Sequence, residues 1–184
     1  MRQIKGTMVL TIVISIKRNK GKRDQFNRIL SDRAKDLLSK RILSSTWYSF
    51  EAYKDCYDAM CHIEARNNPK KLNEWGQREA KRWLTTVYQA SLSKGDPKLA
   101  IEKYSRFHRL VFNFGEYRPE FISDTEVDIT YIDIPRDWEN FYHSTTGWAQ
   151  SFIELAIDKK VNFRFLNKSW QGNGWTKIKY SWSS

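Results

Sequence analysis

Cysteine is nearly missing from this chain. The only two copies, Cys56 and Cys61, lie in a helical pattern, and a spacing of five turns a helix until the two side chains point about 140° apart. They are poorly placed to bridge each other, which excludes a disulfide framework and favours a reducing compartment. Both read as small apolar fillers. Proline, with four copies, and glycine, with eight, are scarce as well, which excludes a low-complexity or linker-rich protein. Histidine occurs only as His62, His108 and His143. Cys61-His62 has no second Cys/His pair at finger spacing, so no metal site is expected. Adjacent helical residues diverge by about 100°, so these two are no natural catalytic pair either. A glycine-rich phosphate loop, a Walker pattern and a Gly-x-Ser-x-Gly elbow are all absent. The apolar stretch Met8–Ile16 is too short to span a bilayer. It imitates a signal peptide, but Lys17-Arg18-Asn19-Lys20 follows it where small residues would mark a cleavage site. A cytoplasmic protein with no transmembrane segment is expected.

Rings are abundant: eight Trp, nine Tyr and ten Phe among 184 residues. Much of the core must therefore be aromatic, and buried Tyr and Trp tips need partners. The net charge is +11. That favours an anionic partner, whether nucleic acid, acidic lipid or acidic protein, without choosing among them. Part of the charge is clustered in Lys17, Arg18, Lys20, Lys22 and Arg23, a run whose plain reading is a solvated turn.

The length and β-branched content of Thr7–Ile16 predict a first strand. Helical spacing from Phe26 to Leu38 predicts one helix from about Asp24 to about Leu43. A polar Ser-Ser-Thr link bearing Trp47 and Tyr48 then leads to a second helix capped by Ser49. Asn67-Asn68-Pro69 ends it. A third helix is predicted over Asn73–Leu92, with Trp83, Val87, Tyr88 and Ser91 inward. Asp96 caps and Pro97 opens a fourth, lined by Ile101, Tyr104, Phe107, His108, Val111 and Phe114 and closed by Gly115. Glu116, Glu120, Asp124, Glu126 and Asp128 read as a solvated acidic stretch before a strand at Val127–Tyr131. A short helical piece near Trp138 precedes a helix from Thr145 to Ile157, and His143 reads as a loop residue. Alternation over Val161–Phe165 and Trp175–Trp182, around Gln171-Gly172-Asn173-Gly174, predicts a closing hairpin. The expected fold is a single α+β domain over residues 1–184, a mainly antiparallel sheet packed against four to five helices.

This order of segments resembles the bacterial heme-nitric-oxide-binding-like and 4-vinyl-reductase-like domains, the superfamily that also holds the TRAPP vesicle-tethering subunits. The matching pieces are Lys5-Gly6-Thr7, the run from Arg41 to Tyr48, Gly147-Trp148 opening Ser151–Ala156, and Lys159–Phe165 with the last strand ending on Trp182. The resemblance implies a ligand-binding or assembly domain without enzymatic activity, whose relatives hold an apolar molecule, a heme or an acyl chain, or serve as dimeric scaffolds. Heme-binding members carry a Tyr-x-Ser-x-Arg triplet that grips the propionates. The nearest string here, Tyr104-Ser105-Arg106, has different spacing and lies close to His108. No cofactor is therefore expected, heme included.

The leading expectation is a non-enzymatic sensory or regulatory domain for a small apolar ligand or a protein partner. Its pocket candidates are Trp47, Tyr48, Trp83, Tyr88, His108 and Trp148, chosen for apolar placement. The alternative is a module for nucleic acid or acidic membrane. It would use Lys17, Arg18, Lys20, Lys22 and Arg23 for phosphates, with Trp170 or Trp175 as stacking surfaces. A homodimeric scaffold is a further option.

Overall fold

The computed structural model describes residues 1–86, 89 and 92–183. Its contacts divide the chain into two compact units, Met1–Asn68 with Leu110–Phe114, and Pro69–Arg109 with Gly115–Ser184.

The first unit opens with strand β1 (Gln3–Lys5) and helix α1 (Gly6–Arg18). The strand expected over Thr7–Ile16 is thus a helix. Val9, Ile12, Val13 and Ile16 are its buried residues, and this spacing of three and four defines one helical face. The period outweighs the β-branched composition, because propensity is only a weak prior. Strand β2 (Trp47–Ser49) pairs antiparallel with β1 and sets Ile4 opposite Tyr48. The link expected merely to join two helices therefore forms half of a two-stranded sheet.

The single helix expected from Asp24 to Leu43 is two, α2 (Arg23–Ile29) and α3 (Asp32–Ser39). Leu30 and Ser31 are extended, and the Ser31 hydroxyl accepts the Ala34 N–H at 3.2 Å. The apolar spacing ran through this break because Leu30 is buried on the same side of the sequence pattern. Helix α4 (Phe50–Met60) starts as expected, with Ser49 Oγ accepting the Ala52 N–H at 3.5 Å. It widens into a π-helical turn, Cys61–Ala65, and ends on Arg66 and Asn67 at φ 54° and 52°. Phe50 is fully buried, with Phe114 at 4.6 Å and Phe112 at 6.4 Å between ring centroids. Ile4 bridges Phe112, and Asn113 Oδ1 accepts the Gln3 N–H at 2.7 Å. These contacts bring Leu110–Phe114 into this unit.

The second unit contains α5 (Pro69–Leu84), most of α6 (Pro97–Val111), and α7 (Glu139–Ile157). The expected continuation of α5 through Val87, Tyr88 and Ser91 lies outside the described residues. Asp96 caps α6 as expected, its carboxylate accepting the Leu99 N–H at 2.9 Å. Helices α5 and α7 cross where neither carries a side chain. A β-carbon on Gly76 would stand 1.9 Å from the Ser144 carbonyl oxygen, and one on Gly147 would stand 1.9 Å from that of Asn73.

Strands β3 (Glu116–Ser123), β4 (Glu126–Ile132), β5 (Val161–Asn167) and β6 (Thr176–Trp182) form an antiparallel sheet in the order β3-β4-β6-β5. Ile129 faces Ile178 and Phe163 faces Tyr180 across the ladder. The closing hairpin is as expected, and the fold is α+β. The acidic stretch, however, is not a loop: Glu126 and Asp128 lie on β4, Asp124 in the turn before it, and Glu116 and Glu120 on β3. On β3, Tyr117, Pro119 and Phe121 alternate with Glu116, Arg118 and Glu120. Carboxylates of both strands meet lysines of β6: Lys177 Nζ is 3.0 Å from Glu120 and 3.4 Å from Asp128, while Lys179 Nζ is 2.9 Å from Glu126. Among the described residues, no helix is long and apolar enough to cross a membrane.

Candidate functional site

The second unit holds its chemistry in a buried aromatic cluster. His108, on α6, is 2% exposed. Its ring lies 4.2 Å from that of Tyr117 on β3. Tyr117 in turn meets Tyr131 at 4.6 Å and Tyr104 at 5.4 Å. The hydroxyls of Tyr104, Tyr131 and Tyr180 form a chain, 3.5 Å and then 3.3 Å apart. Burial drives all three phenols well above their ordinary range, so they remain neutral and free to share hydrogen bonds.

Gly115 closes one side of the imidazole. Its φ of 76° is left-handed, and a β-carbon there would lie 3.0 Å from His108 Nε2 and 2.4 Å from Ile134 Cδ1. The left-handed conformation therefore favours glycine, and a side chain there would press on Nε2. Behind the same helix, Phe107 stacks on Trp148 of α7 at 5.5 Å.

The other pocket candidates are held differently. Trp83 is half-buried and donates its indole N–H to Glu79 at 3.1 Å. Trp47 and Tyr48 are half-buried neighbours on β2 in the first unit. The Lys5 ammonium sits over the Trp47 ring at 4.6 Å, and the Tyr48 hydroxyl accepts the Leu43 N–H at 2.8 Å. Tyr88 lies outside the described residues. Among the pocket candidates, His108 and Trp148 are linked through consecutive residues of α6.

Of the polyanion candidates, Lys17, Arg18, Lys20 and Arg23 are exposed, and Lys22 is half-buried against Glu64 at 3.1 Å. These five belong to the first unit, Trp170 and Trp175 to the second. Trp170 stacks on Tyr142 at 5.2 Å, whereas Trp175 is 52% exposed. His143 lies in α7 rather than a loop, half-buried, with Glu139 at 3.4 Å. Burial holds its imidazole below the ordinary value, against the opposing pull of Glu139. Burial also pushes the Cys56 thiol up to about 12 and raises that of Cys61. Neither is poised as a thiolate nucleophile.

No protein-family model and no curated protein matches the sequence. Solved structures do match. The H-NOX protein from K. algicida in its Fe(II) unliganded form aligns over 98% of this chain and 97% of its own, at a TM-score of 0.67 and 10% identity. The fold is H-NOX-like. The S. oneidensis H-NOX in the Fe(II)NO ligation state aligns over 98% of this chain and 99% of its own, at 0.64 and 10%. A structure described as probing heme distortion in the H-NOX family covers 98% and 95%, at 0.62 and 10%. Of the resemblance drawn from the sequence, the heme-nitric-oxide-binding-like part is what these neighbours carry.

These H-NOX neighbours overturn the expectation of no cofactor. That expectation rested on the propionate-gripping triplet, and the string compared with it has other work. Tyr104 is buried in the tyrosine cluster, Ser105 Oγ donates to the Ile101 carbonyl at 3.0 Å, and Arg106 pairs with Glu102 at 3.7 Å. A mismatch there says nothing about the imidazole. Histidine is one of the residues that hold a heme iron, and His108 is a buried imidazole among rings that could serve as one.

Sequence reasoning missed Tyr117 and Ile134 as neighbours of His108. The two-residue alternation of β3 was the available signal for Tyr117, but the acidic residues between the rings masked it. The Ile134 contact follows only from tertiary packing.

Proposed function

We propose that this chain is a non-enzymatic sensory domain that holds a heme through His108 and responds to a small molecule bound at its iron. The observation that carries this reading is the buried His108 imidazole set among rings, with Nε2 beside Gly115 in a left-handed conformation. The H-NOX-like fold supports it. His108 would supply the axial nitrogen. Tyr117, with its ring at 4.2 Å, would hold the imidazole plane. Trp148, stacked on Phe107, would brace the helix that carries it. The bound heme would supply an open coordination position for a diatomic ligand. The hydroxyls of Tyr104, Tyr131 and Tyr180 are engaged with one another, which suits a dry interior better than a hydrolytic one.

Heme titration into the purified full chain tests this. A Soret band saturating at equimolar heme is expected, with a further shift when nitric oxide is added to the reduced form. His108→Gly should lose the band, and added imidazole should restore it. Heme uptake that is indifferent to His108→Gly would refute the assignment of the ligand, and failure of the unaltered chain to take up heme would refute the function.

A further inference from the structure

The first unit carries a feature that the heme reading does not use. Helix α1 buries Val9, Ile12, Val13 and Ile16, yet it has a second apolar stripe. Leu10 is half-buried, and Ile14 is 42% exposed. Lys17 and Arg18 follow Ile14 by three and four residues, so they share its face. The chain continues through the short turn Lys20–Lys22 into α2. Lys17, Arg18, Lys20 and Arg23 are all exposed, and among the described residues none pairs with a carboxylate. The turn itself is tied down, because Glu64 accepts hydrogen bonds from both Asn19 and Lys22. Asp24 is the single acidic residue between Gly6 and Ile29.

A preference for cations at a helix C-terminus would account for Lys17 and Arg18. It does not account for Ile14 standing exposed beside them, nor for Lys20 and Arg23 beyond the helix. A nucleic acid would neutralise the charges but would leave the isoleucine unused. Single-stranded nucleic acid also asks for exposed rings on which to stack. The only ring between Gly6 and Ile29 is Phe26, and it is buried at 2% exposure. A surface of anionic lipid uses both parts: phosphate and carboxylate headgroups take the cations, and the acyl boundary takes the aliphatic side chain.

We infer that the exposed face of α1 and the following turn, comprising Ile14, Lys17, Arg18, Lys20 and Arg23, is a docking surface for anionic membrane. The contact is peripheral. Each cation near such a surface strengthens binding roughly five-fold, so four together contribute a few hundred-fold. The attraction weakens as salt shortens the screening length.

Co-sedimentation of the full chain with vesicles tests the inference. The probes are phosphatidylcholine alone and phosphatidylcholine with about a third phosphatidylserine. Retention is expected on the anionic vesicles only, and high salt should reduce it. The combined variant Lys17→Gln, Arg18→Gln, Lys20→Gln, Arg23→Gln should bind at least about 100-fold more weakly. Ile14→Ser should weaken vesicle binding about five-fold while leaving any binding to single-stranded RNA unchanged. All these positions are exposed, and an unchanged circular dichroism spectrum verifies the fold of each variant. Equal retention on neutral vesicles would overturn the inference, as would retention untouched by the fourfold variant. Tighter binding to RNA than to anionic vesicles, with Ile14→Ser silent in both, would replace the lipid with a nucleic acid. None of these outcomes bears on heme uptake through His108.

Discussion

The two units differ in what they bury. In the first, the enclosed side chains are hydrocarbon, ring or thiol: Ile4, Val9, Phe50, Cys56 and Cys61 are all fully enclosed. In the second lie His108, Asp128, Thr145, Thr146, Gln150, Ser151, Ser169 and Thr176, the buried polar residues among those described. Most of them are wired to partners. Gln150 donates to the Val161 carbonyl at 2.8 Å and accepts from Asn73 at 2.8 Å. Thr146 accepts from Asn73 at 2.8 Å and donates to the His143 carbonyl at 2.7 Å. Ser169 and Thr176 share a bond at 2.9 Å. Hydrocarbon packing is non-directional and adjusts to small shifts. A buried hydrogen-bond network allows one arrangement, because every donor left open is costly. The polar interior of the second unit is therefore held to one arrangement more strictly than the apolar interior of the first. The first keeps its polar contacts at the rim, where Arg33 grips Asp55 with two bonds at 2.6 and 2.9 Å and Ser31 adds a third.

The contrast can be broken at four points. The largest effect is expected at the helix crossing of the second unit. Gly147→Ala puts a methyl group into the Asn73 carbonyl and should cost about 3 kcal/mol in chemical denaturation. A near-neutral result would show that α5 and α7 can slide apart without loss. Next is the amide network. Gln150→Leu keeps the bulk but strands the Asn73 amide and the Val161 carbonyl, at an expected cost of about 2 kcal/mol. If that variant is as stable as the parent, the interior of the second unit is no more exacting than that of the first.

A smaller change is expected at the rim of the first unit. Burial raises the Asp55 pKa, but the Arg33 and Ser31 hydrogen bonds outweigh it and leave the carboxyl below its ordinary value of 3.8. Its stabilising contribution is then present above that value and lost as pH falls through the lower folded one. Asp55→Asn should cost about 1 kcal/mol at neutral pH, since Arg33 is largely exposed. It should also flatten the acid limb of the stability curve. The smallest effect is at His143. Its folded pKa lies below 6.5, so the unfolded chain takes up a proton that the folded chain resists. Stability should hold above that pH and decline below it, and His143→Gln should remove that part of the slope. A slope of the opposite sign would mean that Glu139 outweighs burial.

Part of the second unit is legible in the sequence. The hairpin of β5 and β6, the cap at Asp96 and the inward side of α6 all follow from local rules of period and turn chemistry, whereas Gly115, expected to close α6 after Phe114, lies four residues beyond its end at Val111. Less was legible in the first unit. Thr7–Ile16 carries both a β-branched composition and a helical period, and the two disagree. Ser31 could be read as an N-cap only after deciding that Leu30 is extended. Trp47 and Tyr48 form a strand because Ile4 and Lys5 lie beside them, and no local rule contains that pairing. At the candidate site His108 was legible as an apolar-face histidine, but Tyr117 and Ile134 were not, and the comparison made at Tyr104-Ser105-Arg106 led to the wrong expectation about a cofactor.

By itself the sequence determined the α+β class, the start of α6, strand β4 and the closing hairpin, the concentration of positive charge around the end of α1 and the aromatic make-up of the interior. These are properties of composition and of neighbours three or four residues apart. The tertiary structure decided that Met8–Ile16 coils rather than extends and that Glu116–Ser123 joins a sheet. It also decided that His108 meets Tyr117 across two elements, with Gly115 at its ring nitrogen. Each of those outcomes depends on which distant surface is available to bury a face, and that surface exists only once the chain has folded.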